Sequence, residues 1–483
     1  MFVGYEYSCI LKAFTSNPDS TIVKIQKGLD LYFAVAKDQE IIKELLIRKY
    51  KTMAKNEKLL EPLGLFGHNM LTADSTNPIW KKHRVLANPI FSNHAHLKNV
   101  FRVTMEELSN MIKYWKDNYD SDAEGNIRNV NTTQELKSIT LTVINRVAFG
   151  YDIEIFNKST KHRDEIHQST TDLLSGIMYK FVFPTWFFEY LPFGIFGKFK
   201  KAKNNFRKIA MDMISKKTAE IQKNNEIMED EDLLSLLMKS SASQNLSDEE
   251  KLSDDELVSA MFIIFFAGFE TSSTSLNFML RLLAIHPDVQ EKLIEEIDAT
   301  VESAESMKFE DLTERLPLLN SFIKESFRVK PAVGAVSRTV AKKGGETIGG
   351  MHFNEGDQIV FNIMVHHKLS HNNAMDTFKF DRFYQPSDKQ DDSSSESSDK
   401  GTMGNLTLEF AKDDLASFSL GPRDCLGRRM ALIEVKQILV YLLKKYRITV
   451  PEHLKEQQAK IKETYIMTRC TFEPFILNFE KRC

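Results

Sequence analysis

The stretch Leu257–Phe269 limits the fold more than any other part of this sequence. It is apolar apart from Ser259 and Gly268, and it runs on as Glu270–Ala284 towards Pro287. A helix that is apolar on every side has to lie inside a core. The rest of the chain must therefore wrap it, and 483 residues are enough to bury such a helix together with a large cofactor. Pro287 sits where the first turn of a following helix accepts a proline.

Helical periodicity dominates elsewhere. It predicts helices over 80–93, 97–117, 132–147, 161–180, 200–223, 318–328 and 426–446. The helix at 318–328 is bracketed by Pro317 and Pro331. Strand signals are few and short: Thr21–Gln26 and Leu31–Ala36 near the start, Gly349–Phe353 and Gln358–Ile363 later. The expected fold is mainly α with a minor β region. Lys239–Glu256 is rich in Ser, Asp and Glu and reads as a solvated loop. Ser387–Lys400 is low in complexity, and 387–414 reads as a surface insertion.

Net charge is −3, so no overall basic field points to nucleic acid. The four cysteines, Cys9, Cys425, Cys470 and Cys483, form no CxxC pair. That spacing argues against a disulfide framework or a structural zinc site and favours a reducing compartment. Residues 1–20 do not read as a signal peptide, because Glu6 and Lys12 interrupt the apolar residues. No run of 18 apolar residues occurs, so no membrane-spanning helix is expected.

The chemistry concentrates at Phe418-Ser-Leu-Gly421-Pro-Arg423-Asp-Cys425-Leu-Gly427, just before the last long helix. A cysteine at a helix start feels the positive end of the helix dipole and nearby amide N–H groups, which favour the thiolate. Gly421 and Gly427 allow a tight turn and close approach, and Arg423 adds a cation. Such a thiolate suits a haem iron. A buried structural cysteine and a nucleophilic cysteine are the alternatives. The pattern as a whole resembles the haem-binding loop of the cytochrome P450 family.

Four other motifs extend the resemblance. Ala267-Gly268-Phe-Glu270-Thr271-Ser272 lies inside the apolar helix, where a glycine and an acid both cost stability. It resembles the family's oxygen-activation motif, which implies that Thr271 hydrogen-bonds dioxygen and Glu270 relays protons. Glu325-Ser-Phe-Arg328 resembles the ExxR motif and implies a structural lock with Arg382, although Phe380 stands where the family commonly has proline. Trp80-Lys-Lys-His-Arg84 resembles the WxxxR pair that binds haem propionates, and Arg338 resembles another propionate ligand, because arginine pairs well with carboxylates.

The resemblance covers about 23–479 and implies a single large helical domain around one haem b, preceded by a segment, 1–22, without the usual anchor. It implies a haem-thiolate monooxygenase that inserts one atom of dioxygen into an apolar lipid, sterol or xenobiotic. Its partner would be an NADPH-dependent flavoprotein reductase, attracted by Lys81, Lys82, Arg428, Arg429, Lys436 and Lys444. The rivals are an isomerase or dehydratase on the same fold, or a truncated, non-catalytic haem protein. Endoplasmic reticulum is the location the resemblance implies. The aromatic stretch Phe181–Phe199, with Lys198, Lys200, Lys201 and Lys203, reads either as a peripheral membrane contact or as a substrate-channel wall.

Overall fold

The structure, a computed structural model, describes residues 2–482 apart from 28–29, 56–59, 224–230, 243–246, 248–249, 315, 372–376, 385–409, 411 and 466–467. The principal helices are α1 (Phe2–Ser16), α2 (Pro78–Phe91), α3 (His94–Asn118), α4 (Thr132–Phe149), α5 (Thr160–Tyr179), α6 (Thr185–Tyr190), α7 (Gly194–Lys223), α8 (Leu233–Ser241), α9 (Asp254–Ile285), α10 (Pro287–Thr300), α11 (Pro317–Val329), α12 (Ile363–Ser370) and α13 (Arg428–Lys445). Three begin with proline at the first helical position, as the sequence predicts for two of them.

The strands are β1 (Ile22–Lys27), β2 (Asp30–Val35), β3 (Met53–Ala54), β4 (Asp120–Ser121), β5 (Ile127–Asn131), β6 (Ala335–Val340), β7 (Glu346–Ile348), β8 (Met351–Phe353), β9 (Gln358–Asn362), β10 (Tyr446–Thr449), β11 (Glu463–Tyr465), β12 (Arg469–Thr471) and β13 (Ile476–Lys481). They form a five-stranded sheet ordered β1-β2-β9-β6-β3, a four-stranded sheet ordered β10-β13-β5-β4, and two hairpins, β7-β8 and β11-β12. In the larger sheet β2 runs parallel to β9, and the other registered pairs are antiparallel.

The chain divides into two compact units: 1–53, 100–140 and 269–483 in one, 54–99 and 141–268 in the other. In the first, Val35, Leu45, Leu46, Ile359 and Phe361 build a core under the five-stranded sheet. A second cluster joins Ile10 and Phe14 of α1 to Tyr32, Ala34 and Val365. α9 passes from one unit to the other and is long and apolar enough to cross a membrane, yet 78% of its most apolar window is buried, the mark of a core helix.

One expectation needs correction, one helix was not anticipated, and one expectation falls on residues that are not described. The segment 239–256 is less loop than its composition suggests, because α8 extends to Ser241 and α9 begins at Asp254. Lys239 is buried there, paired with Glu231. Phe2–Ser16, which carries no helical expectation, is helical. The expected insertion at 387–414 lies almost wholly outside the described residues.

Candidate active site

Cys425 is the exposed member of a loop whose backbone is otherwise pinned. Its N–H donates to Phe418 O at 2.9 Å, and Asp424 N–H donates to Gly421 O at 3.0 Å. Gly421 has φ +76, and a Cβ there would lie 2.6 Å from the Leu46 carbonyl oxygen. That turn therefore demands glycine. Gly427 has an ordinary φ of −82, and a Cβ there would point into open space, so the turn itself does not require glycine at that position. The Phe418 ring packs edge-on against Phe327 and Phe410, with centroids 5.2 and 5.1 Å away. Helix α13 then starts three residues after the sulfur.

The scaffold behind this loop is the expected lock. Arg328 and Glu325 are fully buried and joined by two bonds, Nε to Oε2 and Nη2 to Oε1, both 2.8 Å. Arg382 Nε adds a third at 3.0 Å, and Lys379 N–H a fourth at 2.8 Å. Phe380 in place of proline leaves the lock intact, and its carbonyl accepts from Ser321 Oγ.

His367 completes the scaffold, and no motif in the sequence singles it out. Its Nε2 accepts from Ala416 N–H at 3.0 Å, and its Nδ1 lies 3.3 Å from Arg328 O. Burial drives its pKa well below the usual histidine range. A neutral ring with the proton on Nδ1 satisfies both bonds. His367 thus ties the ExxR helix to the segment entering the cysteine loop. The only signal for it in the sequence is the pair His366-His367.

Helix α9 runs unbroken through the second motif. Among its buried neighbours Ala267 is exposed, and Gly268 and Thr271 are partly exposed. These positions share one helix face. A Cβ at Gly268 would lie 2.6 Å from Ile144 Cδ1, so a larger residue there would require that side chain of α4 to move. Glu270 is buried. Its Oε1 accepts from Thr468 Oγ1 at 3.4 Å, and its Oε2 lies 3.5 Å from Lys137 Nζ. Three successive carbonyls, of Phe269, Glu270 and Thr271, each take a side-chain hydroxyl, from Thr140, Ser273 and Ser275. Glu434 of α13 is buried against Ser272, the neighbour of Thr271, and burial pushes its carboxyl up to about 8.

Arg338 and Arg423 are buried, at 1% and 8% exposure, and Arg338 Nη1 donates to Ser337 O at 2.9 Å. In the other unit, Trp80 is buried and Arg84 half-buried one turn further along α2. His83 between them is buried, and burial pushes it down to about 4. Within the first unit, the accessible Cys425 thiol suits a haem iron, and the buried guanidinium groups of Arg338 and Arg423 suit the haem's carboxylates.

The sequence model of the cytochrome P450 family matches residues 23–472. The chain belongs to the cytochrome P450 family. This P450 is 28% identical over 456 residues to cytochrome P450 3A12 of Canis lupus familiaris, covering 92% of this chain and 82% of that protein. It is 26% identical over 436 residues to cytochrome P450 3A6 of Oryctolagus cuniculus, covering 89% and 79%. Its fold matches the crystal structure of a cytochrome P450DA heme domain with a TM-score of 0.75 at 20% identity, covering 99% of this chain and 93% of that one. The P450 is accordingly a haem b-dependent monooxygenase that uses dioxygen, a small-molecule substrate and a redox partner.

The electron-donor patch expected for this P450 needs revision. Lys436 is fully buried and donates to Leu312 O at 3.2 Å. Lys82 is paired with Glu256 and Lys444 with Asp298. Lys81 is exposed, and Arg428 and Arg429 are partly exposed. Helical periodicity places Lys436 off the apolar face of α13, but that helix is buried on nearly every side.

Proposed function

We propose that Cys425 would supply the thiolate ligand of a haem, that Trp80, Arg84, Arg338 and Arg423 would hold its propionates, and that Phe418, Gly421 and Gly427 shape the loop. When bound, the haem supplies the oxygen activation that amino-acid side chains lack. Ala267 and Gly268 leave room beside it through their small size. The Thr271 hydroxyl orients dioxygen and passes on a proton, and Glu270 resupplies that proton from the Lys137 side. The observation that carries this reading is the accessible face of Ala267, Gly268 and Thr271 in the stretch 257–280 of α9, which is otherwise buried, with the acid beside it. Thr271→Ala is expected to raise hydrogen peroxide release relative to product; unchanged coupling would remove its role.

The substrate is an apolar small molecule, and the electron donor an NADPH-dependent flavoprotein reductase that approaches from the Cys425 side, where Arg428 and Arg429 provide charge. An intact Glu270-Thr271 pair supports oxygen insertion over rearrangement without a reductase. Charge reversal at Arg428 and Arg429 should slow reduction most at low salt.

Residence at the endoplasmic reticulum membrane, by peripheral contact, is supported by the stretch around α6. Val182, Trp186, Tyr190 and Phe193 are 52–74% exposed, near Lys198, Lys200 and Lys201. A channel wall would keep such rings covered, whereas an interface seats them. Flotation with anionic vesicles tests this; loss of binding in Trp186→Ser with Phe193→Ser is the expected result.

A further inference from the structure

Glu270 is held from a part of the chain outside every motif above. Thr468, buried near the tip of the β11-β12 hairpin, donates its hydroxyl to Glu270 Oε1 at 3.4 Å. The next residue's carbonyl, Arg469 O, accepts from Thr274 Oγ1 at 3.3 Å. Residues 270 and 274 lie one turn apart on the same face of α9, so the hairpin grips that face at two levels. Both bonds are long, and a small displacement of the hairpin would lose them.

A hairpin of two three-residue strands is not stable by itself, and this one is bolted down. Arg469 is buried; its Nε donates to Glu463 Oε2 at 2.8 Å, and its Nη1 lies 3.2 Å from both Val329 O and Tyr465 Oη. Its backbone N–H donates to Ala332 O at 2.8 Å. The Tyr465 hydroxyl donates to Pro331 O at 2.8 Å, and Lys330 Nζ donates to Glu463 Oε1 at 2.6 Å. Both cations also lie over the Phe278 ring, at 5.3 Å for Arg469 and 5.6 Å for Lys330. Burial works against the Glu463 carboxylate, but Arg469 and Lys330 outweigh it and hold its pKa below the usual range. The clamp therefore joins the hairpin to the end of α11 and to the loop that follows it.

We propose that Thr468 is a positioning residue for the catalytic acid, setting the Glu270 carboxylate with one oxygen on the hairpin and the other towards Lys137, and that Arg469 acts through it by fixing the hairpin. This rests on the reading of Glu270 as the proton-relaying acid. Without the Thr468 hydroxyl, a buried carboxylate oxygen loses its donor, and the group turns towards Lys137, which is 37% exposed at its side chain.

The test uses the haem-loaded full chain and four variants: Glu270→Gln, Thr468→Val, Thr468→Ser and Arg469→Lys. One readout is the infrared carboxylate band of Glu270, assigned as the band that Glu270→Gln removes. The other is the fraction of consumed oxygen released as hydrogen peroxide, with a flavoprotein reductase as electron source. Thr468→Val should shift the band and raise the peroxide fraction roughly two- to tenfold, the scale of one hydrogen bond. Thr468→Ser should restore both, and Arg469→Lys should reproduce the valine variant. If Glu270→Gln leaves the peroxide fraction unchanged, the reading of Glu270 fails. If Glu270→Gln uncouples but Thr468→Val leaves the band in place, the positioning role fails. Failure of serine to rescue would mark the valine effect as packing and also overturn it.

Discussion

Glu434 of α13 meets Ser272 of α9 inside the core, linking the helix that follows Cys425 to the residue beside Thr271. Burial holds this carboxyl protonated up to about pH 8. Between the ordinary carboxyl range and pH 8, the folded chain keeps a proton that the unfolded chain has released. Stability therefore falls as pH rises through that window. Denaturant unfolding from pH 5 to 8 should show a decline on the order of a few kcal/mol that Glu434→Gln abolishes. Parallel curves for the two proteins would contradict the burial of a neutral acid.

Lys436 sits two residues further along and predicts the opposite slope. Burial pushes its pKa down to about 7. Between pH 7 and the ordinary lysine range, the unfolded chain holds the proton that the folded chain has shed, so stability rises with pH. Lys436→Met should remove that rise. A Lys436→Glu change should reduce the yield of folded protein rather than the rate of reduction by a donor, and a normally folded protein with slowed reduction would show the side chain to be at the surface.

His367 spans Ala416 N–H and Arg328 O. His367→Phe preserves bulk but strands a buried donor and a buried acceptor, at about 1–3 kcal/mol each. Because one of those groups leads into the cysteine loop, haem should also dissociate faster. Haem transfer to a scavenger protein measures this, and an unchanged rate would separate His367 from the loop.

The two glycines of the loop should behave differently. Gly421→Ala forces a side chain at φ +76 against the Leu46 carbonyl oxygen, costing roughly 1–2 kcal/mol from conformation alone. Gly427→Ala meets neither obstacle. Its unfolding midpoint without haem should match the parent, and any loss should show only in haem affinity. Circular dichroism melts of the two haem-free proteins make the comparison.

Local patterns make much of this molecule legible. The apolar stretch at 257–269 announces a core helix, Pro287 and Pro317 mark helix starts, and the Glu325-Arg328 spacing locates the scaffold. What stays hidden depends on contacts between distant segments. Periodicity cannot tell that α13 is covered on its polar side, so Lys436 looks solvated. His367 and Thr468 carry no local signature, because their roles are set by Ala416 and Glu270, 49 and 198 residues away. The short strand β13 gives no signal, since its alternation is weak and its partner β5 lies more than 300 residues earlier.

That pairing constrains how the chain is made. β13 lies between β10 and β5, so the four-stranded sheet cannot close until its middle strand arrives. At roughly 5–20 residues per second, β5 leaves the ribosome tens of seconds before β13 does. For that interval one edge of β5 has no strand to pair with, and an open edge invites the wrong partner. The hairpin bearing Thr468 precedes β13 by only a few residues, so the grip on Glu270 also comes late. A nonsense codon placed just before that hairpin would therefore yield a chain that keeps its long helices, leaves β5 sticky, and never finishes its oxygen-handling side.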